Sequence, residues 1–233
     1  MPKTSGSLIP KHVGYIVDGN RRWAKKHGLP TYEGHLAGYN SLKEVALATL
    51  DAGVTYMSAY VFSTENWQRS ADEVKRLMSL TLKVLTTDVP EFNKNNVKLR
   101  VIGSRVGVSS KIIKAIEAAE AETAHNTGGI FVLCFNYGGK QEITDAVKAL
   151  VEKGLSADEI TTEEITKHLY APEIPPVDIV VRTSGEKRLS NFMTWRTAYS
   201  ELMFIDKNWP DMTKQDVTAI IEEYANRHRR FGA

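Results

Sequence analysis

Six short apolar runs, rich in β-branched and aromatic residues, are spread along this chain with longer stretches between them: 13–17, 54–62, 97–102, 130–135, 177–181 and 202–205. Runs of that length, bounded by turn formers, read as buried strands. Parallel neighbours need a crossover of about a dozen residues or more, and the intervening stretches are long enough to supply it. Apolar positions recur at helical spacing from Ser41 until Gly53, and helices are also predicted over 70–95, 109–124, 141–153, 162–168 and 216–229. The expected fold is therefore α/β, a mostly parallel central sheet of about six strands covered by helices on both faces.

Within 70–95, Ser70 is placed to cap the helix with Glu73 as its capping-box partner, and Pro90 is expected to kink or end it. Leu77, Met78, Leu80, Leu82, Val84, Leu85 and Val89 are spread around most of its circumference. A helix apolar nearly all round is buried on more than one side or lines a cavity for something greasy.

At 233 residues, 42% of them hydrophobic, the chain fits one domain with a sizeable core. Residues 1–11 are expected to form a flexible N-terminal segment and 12–233 a single domain. No uncharged apolar run is long enough for a membrane span, and the leader lacks the apolar centre of a secretory signal, so a soluble, cytoplasmic protein is expected. The lone Cys134 fits a reducing compartment. Thirty basic against twenty-eight acidic residues give a net charge of +2, too even for a broad nucleic-acid footprint. Two basic groups, Arg21-Arg22 with Lys25-Lys26 and Arg227 with Arg229-Arg230, either steer an anion or solvate a helix.

The chemistry gathers in loops that follow strands, where open α/β sheets place their ligands. Asp18-Gly19-Asn20 closes the first run, and Arg21, Arg22 and Trp23 then begin a helix whose amino end offers free N–H groups to phosphate. A carboxylate beside phosphate calls for a cation between them, and Mg2+ takes oxygen ligands from one or two carboxylates plus phosphate. Asp18 is accordingly the predicted metal ligand. Arg182 and Arg188, with Leu189 and Ser190, form a second loop able to grip phosphate oxygens bidentately. Glu201, just ahead of the last run, reads either as a further ligand to the same metal or as a salt-bridge partner. A middle loop contributes Ser63, Thr64, Glu65, Asn66, Trp67 and Arg69. Among six histidines without metal-ligand spacing, only His35 lies near a phosphate loop. The glycines form neither a dinucleotide fingerprint nor a P-loop, so no nucleotide cofactor is expected.

Taken in order, HVGYIVDGNRRWAKKHG, EGHLAG, YVFSTENWQRSADEV, NYGGKQEI, VDIVVRTSGEKRLSNF, YSELMF and RRFGA resemble the cis-prenyltransferases, the isoprenyl transferases that include undecaprenyl diphosphate synthase. The resemblance runs from His12 to the C-terminus and makes 12–233 one catalytic domain. It implies an Mg2+-dependent enzyme that condenses isopentenyl diphosphate units onto an allylic diphosphate, commonly farnesyl diphosphate, with cis geometry, to make a polyprenyl diphosphate. An apolar tunnel is implied too, and the helix ending at Pro90 with the strands at Val61 and Leu133 is its expected lining. By motif match, Asp18 holds the metal while Gly19, Asn20, Arg21, Arg22 and His35, with Trp23 beside them, cradle the allylic phosphates. Arg69, Arg182, Arg188 and Ser190, with Leu189, bind isopentenyl diphosphate. Glu201 matches a second metal position. Thr64, Glu65 and Trp67 shape the substrate site, and Asn66 with Ser63 assists proton removal.

Arg230 and Gly232 match a segment that reaches the partner subunit's diphosphate site, which implies a homodimer. A product of this kind must leave for a bilayer, so peripheral membrane contact is expected. A short-chain cis-prenyl diphosphate synthase and a non-catalytic subunit of a prenyltransferase complex are the alternatives; the presence of both catalytic and C-terminal motifs favours a self-sufficient enzyme. Three departures bear on the product: Arg21 where many bacterial members have glycine, Thr31 where many carry a phosphate-binding arginine, and Val61 with Phe135 where small tunnel residues are common.

Overall fold

The computed structural model describes residues 8–227. At its centre is one six-stranded sheet in the order β3-β4-β2-β1-β5-β6, built from β1 (His12–Ile16), β2 (Tyr56–Ser63), β3 (Val97–Ile102), β4 (Gly129–Tyr137), β5 (Ile179–Arg182) and β6 (Glu201–Phe204). Every neighbouring pair is parallel. All the loops that leave the strands at their carboxyl ends therefore share one rim of the molecule. The strand order reverses between β1 and β5, which opens the crevice where α/β sheets bind ligands.

Helices α1 (Asn20–Lys26), α2 (Thr31–Asp51), α3 (Ala71–Leu85), α4 (Val89–Lys94), α5 (Ser110–Glu122), α6 (Gly139–Glu152), α7 (Thr162–Lys167) and α8 (Lys214–Asn226) connect the strands, with short 3-10 turns at Thr64–Gln68, Ala157–Glu159 and Trp209–Asp211. The inner strands are buried on both faces, as continuous apolar runs require, while the edge strand β6 is only partly buried. On one face Val13, Tyr15, Met57, Ala59, Leu99, Phe131 and Leu133 pack with residues of α2, α3, α5 and α8. On the other, Ile16, Tyr60, Val132, Cys134 and Val180 pack with Phe192 and Met193, from the long segment after β5.

Helix α2 starts at Thr31, well ahead of the apolar periodicity that begins at Ser41. Its first turns carry Gly34 and Gly38, which make room for α1 rather than extend an apolar stripe. A Cβ at Gly34 would meet Asn20 O at 2.0 Å, and one at Gly38 would meet Asn20 Oδ1 at 2.2 Å. The helix predicted over 70–95 is two helices: α3 ends at Leu85, and Pro90 sits in the first turn of α4, where its missing N–H leaves no helix bond unmade. Buried Asp88 fixes the break, accepting from Tyr39 Oη at 2.5 Å and Lys43 Nζ at 3.1 Å. Ser70 Oγ accepts from Glu73 N at 3.4 Å, but the Glu73 carboxylate turns to His35 and Arg69, so only half of the expected capping box forms. The leader is tied by its end, where Lys11 N and His12 N both donate to Asp178 Oδ2.

Candidate active site

Asp18 follows β1, and its backbone is gripped by Thr183, two positions past the strand-paired Val181 of β5. Asp18 N donates to Thr183 Oγ1 at 3.1 Å, and that hydroxyl donates to Asp18 O at 2.7 Å. The carboxylate faces the crevice. Oδ1 accepts from Gly19 N at 2.7 Å and pairs with Arg22 at 3.1 Å, and Oδ2 accepts from Arg182 Nη2 at 2.9 Å. Burial works against its ionisation, but Arg182 and Arg22 outweigh it and hold Asp18 below the usual carboxylate range. Gly19 has a φ of +105°, and a Cβ there would meet Asn208 Oδ1 at 2.6 Å and Ser184 Oγ at 2.8 Å. Only glycine turns the chain here and keeps the amide at the anion-facing end of α1.

Four of the arginines are held in advance by carboxylates. Arg22 reaches Glu186 at 3.1 Å and Ser184 O at 2.8 Å, Arg188 pairs with Glu186, and Arg69 pairs with Glu73 at 2.9 Å. Arg182, buried, also donates to Ser190 Oγ at 2.7 Å, while its Nε is left without a partner, a cost that a polar ligand can remove. His35 is buried, with Nε2 3.1 Å from Glu73 Oε1. Burial lowers its pKa, and the Glu73 carboxylate beside it only partly offsets that.

Beneath this charged rim lies a cavity of about 1490 Å³, larger than the roughly 300–1,000 Å³ usual for small-molecule pockets. Its rim carries Asp18, Gly19, Asn20, Arg21, Arg22, His35, Ser63, Glu65, Asn66, Arg69, Arg182, Arg188, Leu189 and Ser190. Its depth is apolar: Leu42 from α2, Val61 from β2, Leu77, Leu80 and Val84 from α3, and Leu133 from β4. The expectation of a helix apolar nearly all round is corrected: α3 shows solvent a face of Asp72, Lys75, Arg76, Ser79 and Lys83, and its apolar side is shared between the core and the cavity. The expected lining at Val61 and Leu133 is found.

Several expectations are corrected. Phe135 does not line the cavity; it is fully buried under Phe62, ring centroids 5.6 Å apart. Trp23, Thr64 and Trp67 also lie off the lining. Trp23 Nε1 donates to Asp211, and Trp67 Nε1 donates to Asn136 Oδ1 at 2.7 Å beside Phe62. Asn66 lines the cavity, and its Oδ1 accepts from Ser63 N at 3.1 Å, which fixes the side chain against the turn.

Glu201 does not reach the metal position beside Asp18 in its own chain. It opens β6 level with Ile179, and Ile179 is level with Val13. Asp18 is five residues further along, about 16 Å of strand rise away toward the opposite end of the sheet. A residue just ahead of a parallel strand lies at the amino end, and there Glu201 pairs with Arg227 at 3.1 Å. Arg230 and Gly232 lie outside the described residues.

Sequence reasoning missed Glu186, which holds two arginines from within a quoted motif, and Glu73, which it read only as a cap. It also missed Asn191, whose contacts join loops distant in sequence: Asn191 Nδ2 donates to Glu65 Oε1 at 3.1 Å, and Asn191 O and Oδ1 accept from Gly139 N and Lys140 N, each at 2.8 Å.

A charged rim over a deep apolar cavity fits an amphiphile with an anionic head. Comparison with known proteins agrees. Residues 16–232 match the family model described as "Putative undecaprenyl diphosphate synthase". The chain is 45% identical to an isoprenyl transferase of Agrobacterium fabrum, over 100% of this chain and 96% of that one. It is 42% identical to the ditrans,polycis-undecaprenyl-diphosphate synthase ((2E,6E)-farnesyl-diphosphate specific) of Micrococcus luteus, over 98% and 93%. Among solved structures, lavandulyl diphosphate synthase from Lavandula x intermedia, in complex with dimethylallyl diphosphate, superimposes with a TM-score of 0.91 at 32% identity, covering 97% of this chain and 99% of that one.

Proposed function

The chain belongs to the undecaprenyl diphosphate synthase family, and from that membership and the site we propose a cis-prenyltransferase that condenses isopentenyl diphosphate onto farnesyl diphosphate to build a polyprenyl diphosphate. The observation that carries the reading is the cavity itself, with two groups of basic and hydrogen-bonding residues at its mouth and the apolar face of α3 along its depth.

The allylic diphosphate is held by the amino end of α1, through Gly19, Asn20, Arg21 and Arg22, with His35 beside it. Its tail fills the cavity; at about 0.8 kcal/mol per buried methylene, a farnesyl chain supplies on the order of 10 kcal/mol before ordering costs. Arg182, Arg188, Ser190 and Arg69 orient isopentenyl diphosphate with its double bond toward the allylic carbon. As the new carbon–carbon bond forms, the allylic diphosphate departs and one proton leaves the isopentenyl unit. A bound diphosphate oxygen receives that proton, since an amide is a poor base, and Ser63 and Asn66 act as orienting groups, with Asn66 held by its bond from Ser63 N.

Mg2+ belongs to this reading. Asp18 offers a half-buried, ionised oxygen donor at the rim, and among the described residues no group of three or more His, Cys, Asp or Glu side chains is arranged for a metal. Such a site suits an ion that takes most of its ligands from diphosphate and water. Bound there, Mg2+ neutralises charge on the departing diphosphate.

A homodimer is also proposed. Strand β6 is an open sheet edge, with Tyr199 78% exposed and Leu202 40% exposed beside it, a combination that chains commonly bury against a second copy. Among the described residues no helix is long and apolar enough to cross a membrane. The reading places the enzyme in the cytoplasm with peripheral membrane contact as its product lengthens. Val61 in the lining favours a product shorter than the longest polyprenyl chains.

The test is incubation of purified protein with farnesyl diphosphate, labelled isopentenyl diphosphate and Mg2+, with and without chelator, followed by chromatography of the dephosphorylated products. Chelator-sensitive elongation is expected, and the longest rung measures the cavity. No incorporation with any common allylic primer would overturn the reading in favour of a non-catalytic subunit.

A further inference from the structure

Four of the five arginines at the cavity mouth share a property that bears on how it captures substrate. Arg22, Arg69, Arg182 and Arg188 are each occupied by a carboxylate from Asp18, Glu73 or Glu186. Each must therefore exchange or share a partner when a diphosphate arrives, which reduces the net gain of the contact. Among the described residues no carboxylate pairs with Arg21, Lys25 or Lys140, which line the same cavity. Arg21 and Lys25 belong to α1, on the Asp18 side, whereas Lys140 comes from the first turn of α6, on the far side of β2 from Asp18.

The position of Lys140 is set by the fold. The segment after β5 crosses back beneath β1 and β2, with Phe192 stacked on Tyr60 at 5.1 Å, and so brings Asn191 to the start of α6. There Asn191 O and Oδ1 accept from Gly139 N and Lys140 N. Asn191 has a φ of +65° and Ser190 one of +48°, left-handed values that cost energy in non-glycine residues and persist where surrounding contacts enforce them. The approach is also close: a Cβ on Gly139 would meet Thr194 Oγ1 at 2.4 Å. Lys140 is thereby placed beside Ser190, which accepts from Arg182.

We infer that Lys140 is a further binding residue for the diphosphate of the five-carbon substrate, positioned by Asn191 and acting together with Arg182, Arg188 and Ser190. The inference rests on the proposed function for the identity of that substrate. Its selectivity follows from place: the allylic diphosphate lies on the α1 side of the mouth, and Lys140 sits with the loop that follows β5. A flexible ammonium without a competing carboxylate can meet the incoming diphosphate before the arginines release theirs.

The experiment compares the wild type with Lys140→Gln and Lys140→Arg by steady-state elongation, varying isopentenyl and farnesyl diphosphate separately, and by calorimetry with inorganic pyrophosphate. Lys140→Gln is expected to raise the KM for isopentenyl diphosphate about tenfold, the lower end of what a charge-assisted hydrogen bond supplies. The KM for farnesyl diphosphate and the melting temperature should stay unchanged, and Lys140→Arg should restore most of the loss. Unchanged KM values for both substrates would overturn the inference, as would an equal rise in both. Should the wild type elongate nothing, the proposed function falls separately, and the pyrophosphate arm still decides on the lysine: weaker binding in Lys140→Gln upholds it as a diphosphate ligand, and equal binding removes it.

Discussion

Asp18 and Arg182 are 164 positions apart in sequence, yet Arg182 Nη2 donates to Asp18 Oδ2 at 2.9 Å. The contact exists because β1 and β5 are parallel neighbours with Ile16 paired to Arg182, which sets both side chains at the carboxyl end of the sheet. It joins the two diphosphate-binding loops, one from each end of the chain, and it keeps the carboxylate ionised for a cation. Asp18→Asn keeps the shape and removes the charge. Elongation is expected to fall about 10²–10³-fold, the scale seen when one preorganised electrostatic contact is lost, with little change in unfolding midpoint. Turnover within a few fold of wild type would remove Asp18 from the metal assignment.

Gly34 tests whether α1 must lie against α2 for the phosphate-binding turn to form. A Cβ at Gly34 would sit 2.0 Å from Asn20 O, a backbone atom that can yield only if the start of α1 moves. Gly34→Ala is expected to cost about 1–3 kcal/mol, the usual penalty for overpacking, and to raise the KM for the allylic diphosphate more than that for isopentenyl diphosphate. Urea titration and paired KM measurements check this, and a variant with wild-type values in both would show the contact to be relieved elsewhere.

Val61 and Phe135 are both bulky tunnel candidates by sequence, but only Val61 lines the cavity. Val61→Ala should therefore lengthen the longest product by at least one five-carbon unit. Phe135→Ala should cost about 3–5 kcal/mol as a core truncation without lengthening the product. Chromatography of dephosphorylated products reads the first effect and chemical unfolding the second; longer products from the Phe135 variant would contradict the position of that ring.

His12 supplies a pH test of the fold. It is completely buried, with Nδ1 2.9 Å from Pro175 O and Nε2 2.7 Å from Ser58 Oγ, and burial pushes its pKa down to about 4 from 6.5. Between those values the unfolded chain takes up a proton that the folded one refuses. This contribution to stability is therefore complete above about pH 6.5 and is lost as the pH falls toward 4, amounting to about 3 kcal/mol over that window. Unfolding free energies measured between pH 7 and pH 4.5 should fall accordingly, with the His12 ring resonances of the folded protein unchanged down to about pH 5. A His12 titration near 6.5 would refute the account.

The sheet and much of the rim were legible because the signals that specify them are local. Apolar runs with β-branched residues mark the strands, Asp18-Gly19-Asn20 marks the turn, and the alternation with helical spacing leaves little choice but a parallel arrangement. Parallel order then fixes where each loop lies, and it corrects Glu201, since a residue ahead of its strand must sit at the amino end, away from Asp18. The start of α2 was hidden because Gly34 and Gly38 were kept for the close approach of Asn20 rather than for an apolar stripe.

Which segments become strands, which loops carry arginine and carboxylate, and which family the motifs resemble can all be read along the chain. Which of those groups meet is a property of the folded molecule: Glu186 holds Arg22 and Arg188, Phe135 is sealed beneath Phe62 while Leu133 lines the cavity, and Asn191 carries the β5 loop back to Lys140. Secondary structure follows from conformational preferences and periodicities spanning a few residues. These encounters depend instead on strand order and on a crossing segment packed against the opposite face of the sheet, and no spacing within a single stretch of chain encodes that.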